Sequence, residues 1–265
     1  MPLAVEHIRR MRGGAQSHLM RCDDGAYYVV KFQNNPQHLK VLANEMLATK
    51  LAARIGLPVP GVEVVEVCPE LIEMTADLVM QLGVGRKSCR PGRQLGSRYP
   101  GDPARLVVHD FLPDDALREV ENLSDFAGML AFDKWTCNTN GRQAIFFFEA
   151  GRSRRQAMMI DQGFCFNAGE WNFPDAPLRG LYLRHRVYEQ VTGMESFEPW
   201  LGRIEKRMTT ERIGEVAEQI PPEWYNYEYN ELAQLLARLD QRRDRVRELI
   251  VQARNSGRQP FANWK

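Results

Sequence analysis

Four groups of residues follow one another along the chain in an order that phosphoryl transfer would need. The first is Arg12-Gly13-Gly14-Ala15-Gln16-Ser17-His18. Small residues between two strands let backbone N–H groups approach phosphate oxygens closely. No Gly-Lys-Ser/Thr follows, so this is not a Walker loop. Taken alone it reads first as a plain glycine hairpin turn. The second is Lys31, near the end of the apolar run Tyr27 to Phe32. ATP-grasping folds place a ligand of the α- and β-phosphates at such a position; the competing reading is an edge-strand lysine that discourages aggregation. The third is Glu45, amid the apolar stripe of the next helix, where a carboxylate can pair with Lys31. The ordinary fate of a helix glutamate is exposure. The fourth is a pair of polar clusters, Asp133 to Gln143 and Asp161-Gln162-Gly163. A lone Asp after an apolar strand suits Mg²⁺, which takes few carboxylates and shares the phosphates of its nucleotide. Asn140-Gly141 is also a turn signal, so a purely structural loop is the plain alternative.

These residues need elements to position them. Ala26 to Phe32 is aromatic and β-branched and reads as a strand after the turn Asp23-Asp24-Gly25. Leu39 to Ile55 reads as a helix from Leu39, Leu42, Met46, Leu47, Leu51 and Ile55, with Gly56 as its cap and Pro58 as its stop. Val59 to Val67 reads as a strand. Gly83 to Pro103, with five Lys/Arg between Gly and Pro, reads as a long irregular loop. Leu106 to Phe111 reads as a strand ended by Pro113, and the lobe boundary is placed there. Beyond it, Leu123 to Trp135 reads as a buried helix. Ala144 to Phe148 and Ala157 to Ile160 read as a hairpin across Gly151. Asn230 to Arg254 reads as one long amphipathic helix, with the aromatic cluster Trp224 to Tyr229 a packing corner beneath it. Strands with one helix, then mostly helices, indicate an α+β fold of two lobes, residues 1–112 and 113–265.

The whole-chain arithmetic narrows the function classes. At 265 residues, 44% hydrophobic and 26% charged, this is ordinary globular composition with room for a sizeable core. Lys plus Arg is 35 and Asp plus Glu is 34, a formal charge of +1. That balance argues against a surface given over to nucleic acid or membrane, so neither is expected as a partner. No apolar run reaches the ~18 residues of a membrane span, and the first residues lack the apolar stretch of a signal peptide. The five cysteines are scattered, with no Cys-x-x-Cys, so zinc and disulfide frameworks are poorly supported and a cytoplasmic location is expected. His18, His109 and His185 show no metal-ligand spacing.

The chain resembles the HipA-like kinases, a branch of the protein-kinase-like fold related to the phosphatidylinositol 3- and 4-kinases. The resemblance rests on the loop GGAQSH, the lysine strand, NEMLATKLAARIGLPVP, VVHDFLPD, FDKWTCNTNGRQAIF, MIDQG and IPPEWY, from about residue 12 to 225. It implies a bilobal protein-kinase-like fold, with a β-rich N-lobe, a helical C-lobe, and ATP and Mg²⁺ between them. Gly13, Gly14, Ala15, Gln16 and Ser17 would cover the phosphates. Lys31 would hold them and Glu45 would orient Lys31. His109, Asp110 and Phe111 would form the hinge against adenine. Asn138, Gln143 and Asp161 would face the metal. The implied reaction is γ-phosphoryl transfer to a protein Ser/Thr hydroxyl.

One departure bears on catalysis. The family's loop reads Asn-x-Asp with an Asn five residues past the Asp, whereas here Asn140 stands at the general-base position and Ile145 at the metal-binding one. An amide cannot accept the substrate proton as a carboxylate can. A second register, Asp133-x4-Asn138, reproduces the protein-kinase spacing with Asp133 as base, although Asp133 lies far upstream of Asp161 and could instead anchor the loop. Both registers stand at this point. Two other classes compete: a nucleotide-binding pseudokinase that controls a partner, which Asn140 favours, and an RNA-binding protein using the basic segment Arg86 to Arg98, whose affinity would fall steeply with salt.

Overall fold

The computed structural model describes residues 1–265. Its strands are β1 (Ala4–Arg10), β2 (His18–Cys22), β3 (Tyr27–Lys31), β4 (Val62–Val67), β5 (Val79–Leu82), β6 (Gly85–Ser88), β7 (Gly92–Arg98), β8 (Gln143–Phe148) and β9 (Arg155–Ile160). Five of them form an antiparallel sheet in the order β1-β2-β3-β7-β4; β5 with β6 and β8 with β9 are separate hairpins. The expected turn at Asp23-Asp24-Gly25 joins β2 to β3. Gly25 supplies the positive φ of 78° and Asp24 Oδ1 accepts from the Ala26 N–H.

The region from Gly83 to Pro103 is a correction. It is not an irregular loop: it holds the β5–β6 turn, β6 and β7, and β7 lies inside the sheet between β3 and β4. Its sequence, GRQLGSR, hides the strand because two inward positions carry atypical residues. Gln94 is buried yet satisfied, its amide donating to the Arg90 and Pro91 carbonyls and accepting from the Gln33 N–H. At Gly96 a Cβ would stand 2.4 Å from Val65 Cγ2 and 3.1 Å from the Tyr28 ring, so only glycine fits. A second correction concerns Leu106 to Phe111. This apolar run forms no strand; it is an extended connection with a single bridge, His109 to Phe146.

The helices are α1 (Val41–Arg54), α2 (Pro69–Met74), α3 (Asp114–Leu117), α4 (Asp125–Thr136), α5 (Glu198–Arg207), α6 (Thr210–Ala217), α7 (Tyr229–Arg242) and α8 (Val246–Arg254). The helix expected at Leu39–Ile55 thus starts later, with Leu39 left exposed, and the strand expected from Val59 starts at Val62. The expected buried helix is α4, all of whose residues from Phe126 onward are buried. The expected hairpin is β8–β9. The single helix expected over Asn230–Arg254 is broken by a 3₁₀ turn at Arg243–Arg245. Between Leu239 and Val246 its buried stripe has no apolar residue, so nothing hydrophobic holds that turn in line. In the corner beneath, Trp224 and Tyr225 are buried, while Tyr227 and Tyr229 are exposed.

The core has two parts. A cluster of 52 residues joins α1 to the helical half, and a cluster of 12 lies on the sheet, in α2 and in the β5–β6 region. Polar ties add to the first. Lys40, just before α1, pairs with Glu228 at 2.9 Å and with Glu231, and lies 4.2 Å from the Trp171 ring centroid. Arg54 at the other end of α1 donates to the Arg212 carbonyl and to Glu215. Helix α1 is therefore fastened to the helical half. No helix is long and apolar enough to cross a membrane.

Candidate active site

Strand β3 ends at Lys31, and the side chain runs inward between α1 and the segment after β9. Its ammonium donates to Glu45 Oε2 and to Asp161 Oδ1, both at 2.8 Å. Lys31 and Glu45 are almost wholly buried, and the Asp161 side chain keeps 17% exposure. Burial works against the charged lysine, but the two carboxylates outweigh it and raise its pKa above the ordinary value. The Lys31 charge likewise holds Asp161 below the usual carboxylate range, opposed by burial and assisted by Arg142 and Gln143.

Asp161 itself adopts φ = 61°, a left-handed conformation uncommon outside glycine. Gln143, the first residue of β8, donates from Nε2 to Asp161 Oδ2 at 2.7 Å. Each Asp161 oxygen thus accepts one bond. A carboxylate oxygen has a further lone pair, so a cation can be added without displacing either donor. A lone carboxylate of this kind suits a hard, oxygen-seeking ion that shares other oxygen ligands, and no group of three His, Cys, Asp or Glu could cage a metal alone.

Asp133 and Asn138 are placed differently from what the second register requires. The Asp133 side chain has no exposure and accepts from Arg142 Nε at 2.8 Å, from Arg142 Nη2 and from Asn138 Nδ2 at 3.0 Å. Asn138 is 1% exposed, and its Oδ1 accepts from the Asn140 N–H. Both residues are spent on the loop's own shape, in the manner of an anchor, and neither offers an atom to solvent. Asn140 is exposed, its Oδ1 accepting from the Gly141 N–H. Ile145, which the resemblance sets at the metal-binding position, is an apolar residue buried inside β8.

Among the loop residues, Gly13 and Gly14 are exposed at the tip, and Gly13 has φ = 115°. Ala15 and Ser17 are buried, and their carbonyls accept from Asn35 Nδ2 and the Met11 N–H. The Gln16 amide is committed to Gln81, donating to its carbonyl and accepting from its N–H, which ties the loop to β5. In the segment expected to form the hinge, His109 exchanges two backbone bonds with Phe146. Asp110 and Phe111 are exposed, and the Arg184 guanidinium lies 4.1 Å from the Phe111 ring centroid.

Three residues that sequence reasoning passed over hold this arrangement. Asn44 Nδ2 lies within 3.0 Å of the Gly163, Cys165 and Ala168 carbonyls, and its Oδ1 accepts from Trp171 Nε1. His38 donates from Nε2 to the Gly163 carbonyl at 2.8 Å. Arg142 is buried against Asp133. A polar residue inside the apolar stripe of α1 was the available signal for Asn44.

The HipA-like kinase family profile matches residues 4–253. No curated protein matches the chain. Among solved structures, the Helicobacter pylori proinflammatory kinase CtkA superposes with a TM-score of 0.58 at 14% identity, covering 94% of this chain and 96% of that one. The Golgi casein kinase with Mn/ADP bound gives 0.55 at 11% identity over 96% and 74%. HipA, in the Shewanella oneidensis MR-1 complex of HipA, HipB and operator DNA, gives 0.52 at 13% over 95% and 68%. At these identities the likeness is one of fold, and that fold is the protein-kinase-like one expected from the sequence. The Shewanella protein is seen with DNA, so the expectation that nucleic acid is no partner finds no support in these comparisons.

Proposed function

The chain belongs to the HipA-like kinase family, and on that premise we propose that it binds ATP with Mg²⁺ between its sheet and its helical half and transfers the γ-phosphoryl group to a Ser or Thr hydroxyl of a protein. The observation that carries this reading is the single Lys31 ammonium, 2.8 Å from both Glu45 and Asp161. Lys31 would supply the cation that phosphate oxygens need, and its bond to Glu45 supports that reading by holding the ammonium in place. Asp161 and the Gln143 amide oxygen would hold the Mg²⁺, which would neutralise charge on the phosphate oxygens. The exposed backbone at Gly13 and Gly14 would lie over those oxygens, and the hinge from Val107 to Phe111 would face adenine. Five free cysteines, four of them buried, suit a reducing cytoplasm.

A second reading is favoured by one observation. In the register that the resemblance implies, the general-base position falls to Asn140, an exposed amide, and the alternative carboxylate, Asp133, is sealed. A nucleotide-binding pseudokinase would retain the Lys31–Glu45–Asp161 arrangement and lack transfer. Two measurements separate the readings. Ligand at about 100 times its dissociation constant adds ~2.7 kcal/mol to stability, so millimolar Mg-ATP should raise the melting temperature under either. Transfer of labelled phosphate to protein, abolished in Asp161→Asn, should appear only under the first. A melting curve unmoved by Mg-ATP and by Mg-GTP refutes both.

A further inference from the structure

We propose that Arg142 is the positioning residue of this site: by clamping the backbone and side chain on either side of Asp161 to Asp133, it sets the orientation in which the Asp161 carboxylate receives its divalent cation. The inference rests on the reading of Asp161 as the metal carboxylate.

The Arg142 side chain has no solvent exposure. Its Nη1 donates to the Ile160 carbonyl at 2.7 Å and to Gln162 Oε1 at 2.8 Å, so it grips the residues immediately before and after Asp161. Its Nε and Nη2 grip both oxygens of Asp133 at the end of α4. Its own N–H donates to the Leu181 carbonyl at 3.1 Å. One side chain therefore joins α4, the start of β8 and the Asp161 turn, while its backbone holds the segment at Leu181.

This grip has a consequence for the reacting group. Asp161 sits at φ = 61° without being glycine, a sparsely populated conformation that persists only where its surroundings hold it. Arg142 points inward and the next residue, Gln143, points outward to Asp161 Oδ2, as alternate residues of a strand do. Fixing Arg142 thus fixes Gln143, and both Asp161 oxygens are aimed. A lysine would supply the charge but not the planar fork that reaches Asp133 and the turn together. The missing carboxylate at Asn140 makes this clamp more consequential, because transfer without a base depends on positioning and electrostatics.

The test uses the whole chain, with Mn²⁺ as the metal probe. Its affinity is measured by electron paramagnetic resonance in the presence of a non-hydrolysable ATP analogue, beside metal-free analogue binding and thermal melting. Arg142→Lys should weaken Mn²⁺ about 10-fold or more, the scale of lost outer-shell support, while leaving metal-free analogue binding unchanged. Gln162→Met, which removes one acceptor of the clamp and no charge, should shift Mn²⁺ affinity the same way by less. It also provides the readout if Arg142→Lys does not fold. Wild-type Mn²⁺ affinity in a folded Arg142→Lys, or failing that in Gln162→Met, overturns the inference alone. A wild-type chain that binds the analogue but no Mn²⁺ overturns the assignment of Asp161 and this inference with it.

Discussion

Gly180 backs directly onto Asp133. It has φ = 78°, and a Cβ there would stand 2.5 Å from the Asp133 Cβ. Its N–H donates to the Asn140 carbonyl at 3.1 Å. Lys134 holds the same segment from beneath, donating to the Pro177 and Arg179 carbonyls at 2.8 and 2.7 Å. The stretch around Leu178 to Leu181 is therefore laid on the loop that carries Asn140, with Asp133 as its floor.

Asp133 cannot yield to an intruding methyl, because Arg142 and Asn138 hold it. Gly180→Ala combines a left-handed backbone, roughly 1–2 kcal/mol, with overpacking of about 1–3 kcal/mol. A loss of about 2–4 kcal/mol is expected in urea denaturation, together with lower phosphotransfer. A change below ~0.5 kcal/mol, the usual range of a neutral surface substitution, would mean that the segment leaves Asp133 in solution.

Removing Lys31 tests the buried carboxylates. In the wild type Asp161 lies below its ordinary pKa of 3.8, chiefly through the Lys31 charge. Its stabilisation is therefore fully present above that value and is lost as pH falls through the lowered one. Lys31→Met leaves Glu45 and Asp161 without their shared cation, a loss of about 3 kcal/mol at neutral pH. Protonation relieves the variant and not the wild type. The gap between their melting temperatures should narrow as pH is lowered from 7 towards 4.5, and a constant gap would show that the pair carries no net charge energy.

A second pH effect sits on the sheet. His18 Nδ1 lies 3.0 Å from His7 Nε2, so the rings share one proton. Burial pushes His18 down to about 4, with His7 and Arg10 adding to the shift and Asp77 opposing it. The ordinary value is 6.5, so between 6.5 and 4 the unfolded chain takes a proton that the native one refuses. Stability contributed by the neutral ring is complete above 6.5 and declines as pH falls through that window. His18→Gln should flatten the decline in melting temperature from pH 7 to 4.5. Cys89, 3.9 Å from His18 Nε2, stays protonated throughout, its thiol pushed up to about 12 by burial.

What was legible in the sequence was local. Leu42, Met46, Leu47 and Leu51 repeat at helical spacing, and α1 formed with them inside. Lys31, Glu45 and Asp161 appeared in order, and the fold brings them together. Strand β7 was not legible, because its inward residues are chosen by distant neighbours: Gly96 by Tyr28 and Val65, Gln94 by Gln33 and Arg90. Asn44 and Arg142 were missed for a related reason. Asn44 bonds the backbone carbonyls of Gly163, Cys165 and Ala168, and Arg142 reaches the Ile160 carbonyl beside the side chains of Asp133 and Gln162. A pattern of side-chain types carries no record of backbone acceptors. The Leu106–Phe111 run misled because apolar residues mark burial or contact, not pairing, and Val107 and Phe111 are in fact exposed.

The remaining prediction decides whether the loop catalyses. General-base assistance is worth typically ~10²–10⁴-fold, and on the proposed reading the base position falls to Asn140, which is exposed. Asn140→Asp should therefore raise phosphotransfer, with a melting temperature close to that of the wild type because the side chain bonds only the adjacent Gly141 N–H. Asp133→Asn should behave in the opposite manner. It breaks a buried pair with Arg142 and should lose about 3–5 kcal/mol of stability, with activity falling as the folded fraction and the Asp161 turn are lost. If Asp133 were the base, Asp133→Asn would abolish transfer with melting temperature and nucleotide binding intact, and Asn140→Asp would do little. Measuring both variants for transfer, melting and analogue affinity distinguishes the cases. A stable Asp133→Asn with no transfer is the result that would overturn the reading of Asp133 as an anchor.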